Sequence, residues 1–253
     1  MKNEKKIFSI VLVLAMVIGA VALSGCTQEK EKVIIVGTEA TFPPFEYTDA
    51  NGTIVGFDID MIKWILERQN YTVEVRDIGF DFLIQELQDG KIDVIAAGLS
   101  IDDERKEKVD FSDPYYKADQ SVLVKKNSGI KINNTNDLKN LTKIGAQTGT
   151  TGWKWVKNNV GNDSVKSYPY YTDAVLDLKT GPDRVEALVL DQPVAEAYAK
   201  TGDLEIALTI FTNESYGIAV KKGNTELLQI INQGLAELKT SAEWDNLIKK
   251  YFE

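Results

Sequence analysis

The sequence VIIV at Val33–Val36 opens the stretch that decides the fold, because it begins a regular alternation of apolar runs and amphipathic segments. Four consecutive branched apolar residues are typical of a strand buried on both faces of a parallel sheet. The predicted elements that follow are a helix at Gly56–Gln69, a strand at Thr72–Val75, a helix at Phe82–Leu87 and a buried strand, IDVIAA, at Ile92–Ala97. Asp58 is the predicted N-cap of the first helix. This β-α-β-α-β order predicts a doubly wound, mostly parallel α/β sheet.

The rest of the chain contains a second series of the same kind. Its predicted strands are Ser121–Val124, Lys143–Ala146, Val165–Tyr168, Val185–Leu190 (VEALVL) and Tyr216–Val220 (YGIAV). Helical stretches lie between most of these strands, and two more end the chain. Two α/β lobes side by side leave a crevice at the carboxyl ends of their strands, which is where open α/β sheets bind ligands.

The N-terminus has the composition of a secretion signal. A basic opening with Lys2 and Lys5 precedes an uncharged apolar run, Ile7–Leu23, and small residues that end at Cys26. An apolar run of about 17 residues is also near the lower limit for a membrane-spanning helix. A transmembrane anchor is therefore the alternative interpretation.

The sequence Leu-Ser-Gly-Cys resembles the lipobox of bacterial lipoproteins, in which the chain is cut before the Cys and the Cys carries lipid. This resemblance implies a signal peptide at residues 1–25, a lipid on Cys26 and a polar tether at residues 26–32. Acyl chains would hold the protein on the outer face of the cytoplasmic membrane. The alternative is a free thiol beside an ordinary cleavage site, which is less favoured because Cys26 is the only Cys and cannot form an intrachain disulfide.

Composition and charge argue against several classes of protein. The formal net charge of −9 argues against a nucleic-acid partner, because phosphates need a basic surface. The chain contains no His, which removes Ser-His-Asp and Cys-His catalysis and the commonest metal ligand. It also lacks a P-loop motif, so it does not drive transport with its own nucleotide hydrolysis. We expect neither a metal nor a cofactor.

Two charged side chains follow buried strands, where the crevice should lie. Arg105 belongs to the charged run DDERKEK, which is typical of a solvated helix face, yet its guanidinium offers paired donors that match a carboxylate. Asp191 ends the VEALVL strand and could either cap the helix that begins near Pro193 or serve as the counter-ion of an ammonium group. The residues alone leave both alternatives open.

Neighbouring loops contain polar and aromatic residues with similar alternatives. Thr150 and Thr151 begin a predicted helix, where they could act as caps or leave free amides for a carboxylate. Ser100 could bond a ligand or cap a turn. Phe42 and Phe80 could pack in the core or lie beside a ligand. A zwitterion needs a cationic fork, donor amides, a separate carboxylate and an apolar slot, and these loops contain each of them.

At these loops the sequence resembles the amino-acid-binding components of ABC importers, within the type II periplasmic binding proteins, and especially those for glutamine, histidine and lysine/arginine/ornithine. The likeness runs from Val33 to Phe252. The stretches that carry it are GTEATFPPFEY, GFDIDMI, AAGLSIDDERKEKVDFSDPYY, QTGTTG and ALVLDQP. They occur in the order and at the spacing of that family.

The resemblance implies how the backbone of an amino acid would be held. Arg105 would pair with the ligand carboxylate, which would also meet the backbone amide of Thr151. The carbonyl of Gly98 and the hydroxyl of Ser100 would accept from the ammonium, and Asp191 would hold it as a counter-ion. The lobes would contribute different residues, so the ligand would bridge them.

The resemblance also implies which residues face the ligand side chain. Phe42 and Phe80 would flank it, and Glu39 and Gln147 would face its far end. A carboxylate at position 39 favours a polar or cationic ligand such as glutamine, lysine or arginine.

Two lobes of mostly parallel sheet, joined by a two-strand hinge, are a further implication. Lobe 1 would comprise residues 33–114 and 216–253, and lobe 2 residues 117–213. The protein would act outside the cytoplasm as a monomer, close on a free amino acid and deliver it to an ABC permease with a separate ATPase. The alternative is an enzyme on the same fold, similar to prephenate or arogenate dehydratase, for which Glu39 is the only obvious acid.

Overall fold

The computed structural model describes residues 32–180 and 185–253. The predicted signal peptide (1–25), the predicted lipid site Cys26 and all but the last residue of the predicted tether (26–32) lie outside the described residues. The strands are β1 (Lys32–Thr38), β2 (Thr41–Phe42), β3 (Glu46–Thr48), β4 (Ile54–Val55), β5 (Tyr71–Asp77), β6 (Val94–Ile95), β7 (Val109–Phe111), β8 (Tyr116–Lys125), β9 (Ile144–Gln147), β10 (Val165–Tyr168), β11 (Ala187–Asp191), β12 (Leu204–Tyr216) and β13 (Ala219–Lys221). The α-helices are α1 (Phe57–Glu67), α2 (Leu83–Gln88), α3 (Asp103–Lys108), α4 (Thr151–Asn159), α5 (Tyr171–Thr180), α6 (Gln192–Ala199), α7 (Thr225–Lys239) and α8 (Ala242–Phe252).

Two five-stranded sheets form the framework of the fold, with the strand orders β5-β1-β6-β13-β7 and β10-β9-β11-β8-β12. Parallel pairings join the strands of each predicted β-α-β series. Antiparallel pairings add β7 and β13 to the first sheet and β8 and β12 to the second. These four strands flank the two places where the chain passes from one sheet to the other. The expected α/β class with two lobes is confirmed, whereas the exact lobe boundaries stay a prediction.

The predicted strand Tyr216–Val220 is wrong, because the chain changes sheets within it. Tyr216 ends β12 in the second sheet, and Ala219 begins β13 in the first. Between them, the amide of Ile218 donates to the hydroxyl of Ser112 at 2.9 Å. Apolar runs predict burial but do not reveal which of two sheets a buried strand joins.

The predicted N-cap role of Asp58 is also wrong. Gly56 occupies the N-cap position, and Asp58 lies in the first turn of α1, where it is fully buried. Its Oδ2 accepts hydrogen bonds from the Gly98 amide at 2.8 Å and from the Tyr115 hydroxyl at 2.5 Å. Burial raises the pKa of Asp58 to about 7, although both bonds oppose that rise. Asp58 therefore anchors the loop that follows β6.

The predicted strand Ile92–Ala97 is buried as expected, but only Val94–Ile95 has regular strand geometry. Its flanks still bond to β1, since the amide of Asp93 donates to the carbonyl of Ile35 at 2.8 Å. The chain beyond this strand turns at Gly98, whose φ of 50° is unfavourable for residues with a side chain.

Aromatic side chains pack where the two crossing strands meet. The ring of Phe45 lies 5.0 Å from the rings of both Tyr116 and Tyr216, edge to face in each case. Phe252, near the end of α8, lies 5.4 Å from Phe45. Edge-to-face pairs of this kind add to the stabilisation from apolar burial. The C-terminal helix thereby fixes the position of the crossing strands beside the crevice.

Candidate functional site

A small cavity lies between the two sheets. All nine predicted ligand-binding residues line it: Glu39, Phe42, Phe80, Gly98, Ser100, Arg105, Gln147, Thr151 and Asp191. They come from loops that follow strands of both sheets, as expected for open α/β sheets. Glu46, Thr150 and Tyr171 also line the cavity.

Arg105 lies in the first turns of α3 and is only 4% exposed. Asp102 caps this helix by accepting from the Arg105 amide at 2.7 Å, which fixes the start of the side chain. The guanidinium donates to the Ser100 carbonyl at 2.6 Å and to the Gly149 carbonyl at 3.0 Å. A guanidinium has five N–H groups, so donors remain for a ligand carboxylate. The predicted alternative of a solvated helix face is wrong for Arg105.

Neighbouring groups stabilise the buried positive charge of Arg105. Burial lowers its pKa, and the carboxylates of Asp102 and Asp191 oppose that change. An Arg side chain stays protonated in proteins even so. Its central carbon lies 5.5 Å from the centre of the Phe80 ring, within the range of a cation–π contact. The cavity thus contains a buried cation with unused donors.

Asp191 faces the same cavity from the end of β11. It occupies the N-cap position of α6, but its carboxylate accepts hydrogen bonds from the Gln120 amide group and the Tyr216 hydroxyl instead of capping the helix. Burial and, to a lesser extent, the nearby charge of Glu214 raise its pKa to about 7. The capping alternative is therefore wrong for Asp191, and the counter-ion role stays a prediction.

Two neighbouring threonines at the start of α4 have different roles. Thr150 is the N-cap, since its hydroxyl accepts from the amide of Trp153 at 3.1 Å. Thr151 is the first residue of the helix, and its hydroxyl donates to Glu214 at 2.5 Å. The first amides of a helix lack intrahelical partners and attract anions. The capping alternative is thus correct for Thr150, while contact of the Thr151 amide with a ligand carboxylate stays a prediction.

Two glutamates are buried on the cavity wall. Glu39 accepts from the Gln147 amide group at 3.1 Å and from the Thr41 hydroxyl at 2.6 Å. Glu46 is 1% exposed, and its Oε2 has no hydrogen-bond partner among the described residues. Burial raises the pKa of both carboxyl groups, and that of Glu46 rises well above its ordinary value. Arg105 is the one cation among the described lining residues, so carboxyl groups outnumber cations at the site.

Aromatic rings form the apolar part of the wall. Phe42 stacks on Tyr171 with ring centres 5.6 Å apart. A Cβ atom at Gly98 would lie 2.6 Å from the Phe42 ring, which is too close for any residue other than Gly. Gly98 therefore lets the ring of Phe42 approach the backbone at the cavity wall.

Sequence reasoning missed several functional neighbours of these residues. Glu46 follows the Pro-Pro-Phe stretch of the first loop, and Tyr171 follows β10, so both positions were detectable as residues near strand ends. Gln120 and Glu214 lie within long strands, where nothing in the sequence distinguishes them from ordinary strand residues. Only the pairing of β8 with β12 brings these two side chains behind the cavity.

The described residues, 32–180 and 185–253, contain no cluster of His, Cys, Asp and Glu that could hold a metal ion. Within the same part of the chain, every helix is too short or too polar to cross a membrane.

Comparison with known proteins places this arrangement in context. Residues 34–253 match the model of the bacterial extracellular solute-binding proteins, family 3. A probable histidine-binding protein of Neisseria gonorrhoeae is 34% identical over 252 residues, which cover 94% of this chain and 93% of that protein. A mutant of ArgBP from T. maritima is 44% identical, with a TM-score of 0.82 over 87% of this chain and 95% of that one. An ancestral arginine-binding protein bound to glutamine is also 44% identical, with a TM-score of 0.81 over 88% and 99%.

Proposed function

This chain belongs to family 3 of the bacterial extracellular solute-binding proteins, and we propose that its solute is a free polar or cationic amino acid. The protein binds this amino acid between its two lobes and delivers it to an ABC permease with a separate ATPase. Its fold is that of the type II periplasmic binding proteins, and membership in the family implies an extracytoplasmic location. The relatives reported above are named as binding proteins.

The observation that carries this proposal is the placement of one buried guanidinium and one buried carboxylate on the wall of a single cavity. Arg105 follows strands of the first sheet, and Asp191 belongs to the second. A zwitterionic amino acid offers a carboxylate to the former and an ammonium to the latter. Charge-assisted hydrogen bonds at both ends offset the cost of removing the ligand from water.

The charge balance of the wall supports a cationic or amide side chain. Glu39 and Glu46 are buried beside the cavity without a cation of their own in the described wall. The side-chain amide of Gln147 donates to Glu39 and to the Pro169 carbonyl. A guanidinium, ammonium or amide on the ligand would supply donors to the glutamates, whereas an apolar side chain would leave the Oε2 of Glu46 without a partner.

Ligand entry requires the lobes to separate, because the groups that would hold the ligand are almost fully buried. Arg105 bonds to Gly149 across the cleft at 3.0 Å. We assign lobe 1 to residues 33–114 and 216–253 and lobe 2 to residues 117–213, with the crossing strands as the hinge. A ligand that contacts both lobes favours the closed form by its differential affinity.

The N-terminal segment supplies the remaining part of the proposal. Secretion is directed by residues 1–25, and lipid on Cys26 tethers the mature chain through residues 26–32 to the outer face of the membrane. The folded part acts as a monomer at that surface.

Titration calorimetry with single amino acids tests the proposed function. We expect one ligand per chain, with L-arginine, L-lysine or L-glutamine bound more tightly than L-leucine or L-glutamate. Arg105→Ala should weaken binding by about 3–5 kcal/mol, because it leaves a ligand carboxylate buried without its partner. Arg76→Ala is the matched control, since the Arg76 side chain is 43% exposed and pairs with Glu74 at the surface.

Two outcomes would contradict the proposal. One is an Arg105→Ala protein that binds as tightly as the wild type. The other is conversion of the added compound into a product, which NMR of the ligand would detect and which would favour an enzyme. Equal affinity for leucine and arginine would remove the assignment of the ligand class alone.

A further inference from the structure

Glu214 lies on β12 directly behind the cavity, outside its lining, and joins three side chains of the site. Its Oε2 accepts from the Ser100 hydroxyl at 2.8 Å and from the Thr151 hydroxyl at 2.5 Å. Its Oε1 accepts from the amide group of Gln120 at 3.3 Å. Ser100 follows the first sheet, whereas Thr151 and Gln120 belong to the second. One carboxylate thus links both halves of the site.

Counting protons shows what Glu214 does to the hydroxyl of Ser100. A hydroxyl has one proton to donate and lone pairs that accept. An ionised carboxylate can only accept, so Ser100 must give its proton to Glu214. Ser100 also lines the cavity. Towards a ligand, therefore, Ser100 presents an acceptor and has no proton left to donate.

The same count of protons gives the direction of the hydrogen bonds from the other two partners of Glu214. The Thr151 hydroxyl donates to Glu214, and its oxygen receives the Gln120 amide group at 3.2 Å. That amide group also donates to Asp191. The Gln120 amide group has two N–H groups for three nearby acceptors, Asp191, Thr151 and Glu214, so neither it nor the Thr151 hydroxyl has a proton left for a ligand. The acceptors of Ser100 and Asp191 stay available on the cavity side.

We propose that Glu214 is a positioning residue that makes this site selective for an α-ammonium group, because it holds Ser100 as a pure acceptor and links it to Asp191 through Gln120. This inference rests on the proposed function, since it concerns the amino-acid ligand. An ammonium brings three donors, which match the Ser100 hydroxyl, the Gly98 carbonyl and the Asp191 carboxylate. A ligand without that group would leave these acceptors unpaired in a buried site.

Replacing Glu214 by Gln should disturb the direction of these hydrogen bonds while preserving size. A carboxamide has one accepting oxygen and one donating nitrogen. It cannot accept from two hydroxyls at one atom and from Gln120 at the other. At least one of the three contacts must reverse or break, and reversal at Ser100 turns its proton towards the ligand ammonium.

The test compares two probes, L-arginine and 5-guanidinopentanoate, which is arginine without its α-ammonium group. Titration calorimetry gives the ratio of their affinities for each protein. We expect this ratio to fall about tenfold in Glu214→Gln, equivalent to about 1.4 kcal/mol. Glu205→Gln is the matched control, because Glu205 is an exposed residue of the same strand, and it should keep the wild-type ratio. Glu214→Asp retains a carboxylate and should keep more of the wild-type ratio than Glu214→Gln.

Ser100→Ala provides a second, independent variant. It removes the acceptor itself, so the ratio should fall by a similar factor, and combining it with Glu214→Gln should cause little further loss because both changes act on one hydrogen bond. Thermal denaturation checks that each variant is folded.

The inference is overturned if Glu214→Gln weakens both probes in parallel, since a purely structural role would do that. It is also overturned if Ser100→Ala leaves the ratio unchanged. A wild-type protein that binds neither L-arginine nor any other amino acid would instead refute the proposed function, and the wild-type measurement alone reveals that case.

Discussion

Asp191 shows how one buried side chain combines a structural and a proposed functional role. Its two oxygens accept from Gln120 and Tyr216, which hold the carboxylate at the cavity wall. Burial nevertheless raises its pKa to about 7, because two neutral donors do not replace full hydration. A ligand ammonium would stabilise the ionised form. Binding should therefore be coupled to loss of a proton from Asp191 whenever the free protein holds one.

We expect ligand affinity to depend on pH through this coupling. Above about pH 7 the carboxyl group is ionised before binding, so affinity is constant. As the pH falls below that value, protonation of Asp191 competes with the ammonium, and affinity for L-arginine should fall by up to about tenfold per pH unit. Burial also raises the pKa of Glu39 and Glu46, which reinforces the trend for a cationic ligand.

Titration calorimetry from about pH 5 to about pH 8 checks this prediction. Asp191→Asn should bind weakly with a flatter profile, whereas Asp163→Asn, which removes an exposed carboxylate, should keep the wild-type slope. A wild-type affinity that does not change over this range would show that Asp191 is not the group that pairs with the ligand.

Single residues at strand ends were the predictable part of the site. Arg105 and Asp191 follow buried runs, and the fold places the ends of such runs at the crevice. The role of Glu214 was not predictable. The direction of its side chain depends on the pairing of β12 with β8 and on the bulge between Ile210 and Glu214. Long-range pairing of this kind leaves no local pattern in the sequence.

At the scale of elements, α1 and α7 pack closely at one glycine. A Cβ atom at Gly234 of α7 would lie 2.5 Å from the Cγ2 of Ile65 in α1. Ile65 is itself buried, so it has little room to move. The amphipathic pattern predicted both helices and their apolar faces, but it did not reveal which pair of residues sets the distance between them.

Gly234→Ala should therefore lower the free energy of unfolding, by about 1–3 kcal/mol, because overpacking of a core forces neighbours out of position. Helix propensity alone would give the opposite sign, a gain of about 1 kcal/mol. Urea denaturation measures the difference. The neighbouring residue Gln233 is exposed, and Gln233→Ala should change stability by less than about 0.5 kcal/mol. A Gly234→Ala protein as stable as the wild type would show that the helices separate without cost.

The order of elements was largely predictable, and its exceptions have physical causes. The spacing of apolar residues along the sequence identified the helices and strands of both series. The run Tyr216–Val220 was misassigned because burial is equally strong on either side of the crossing between sheets. Asp58 has the chemistry of a cap, yet tertiary contacts with Gly98 and Tyr115 determine its position.

At the scale of the whole molecule, ion pairs connect the two halves at the edge of the cleft. Lys154 of α4 contacts Glu104 of α3 at 2.7 Å and the α3 cap Asp102 at 3.2 Å. Lys154 and Lys108 lower the pKa of Glu104 to about 2. Because these pairs join elements of the two proposed lobes, we expect them to exist only in the closed form and to slow ligand release.

Lys154→Ala should increase the dissociation rate of L-arginine by up to about fivefold at low salt, since partly exposed ion pairs contribute about 0.2–1 kcal/mol each. The difference should shrink near 1 M salt, where the screening length is about 3 Å. Stopped-flow fluorescence measures these rates. Lys157→Ala is the control, because Lys157 contacts Trp153 within the same helix. An effect of Lys154→Ala that is equal at low and high salt would contradict an electrostatic connection between the lobes.

We propose that Arg105 and Asp191 hold the two poles of one amino acid in the cavity between the lobes. A crystal structure of the protein with L-arginine tests it most directly. We predict one ligand, with its carboxylate about 3 Å from the Arg105 guanidinium and its ammonium about 3 Å from the Asp191 carboxylate. A ligand bound outside this cavity, or bound inside it with its ammonium away from Asp191, would contradict the account.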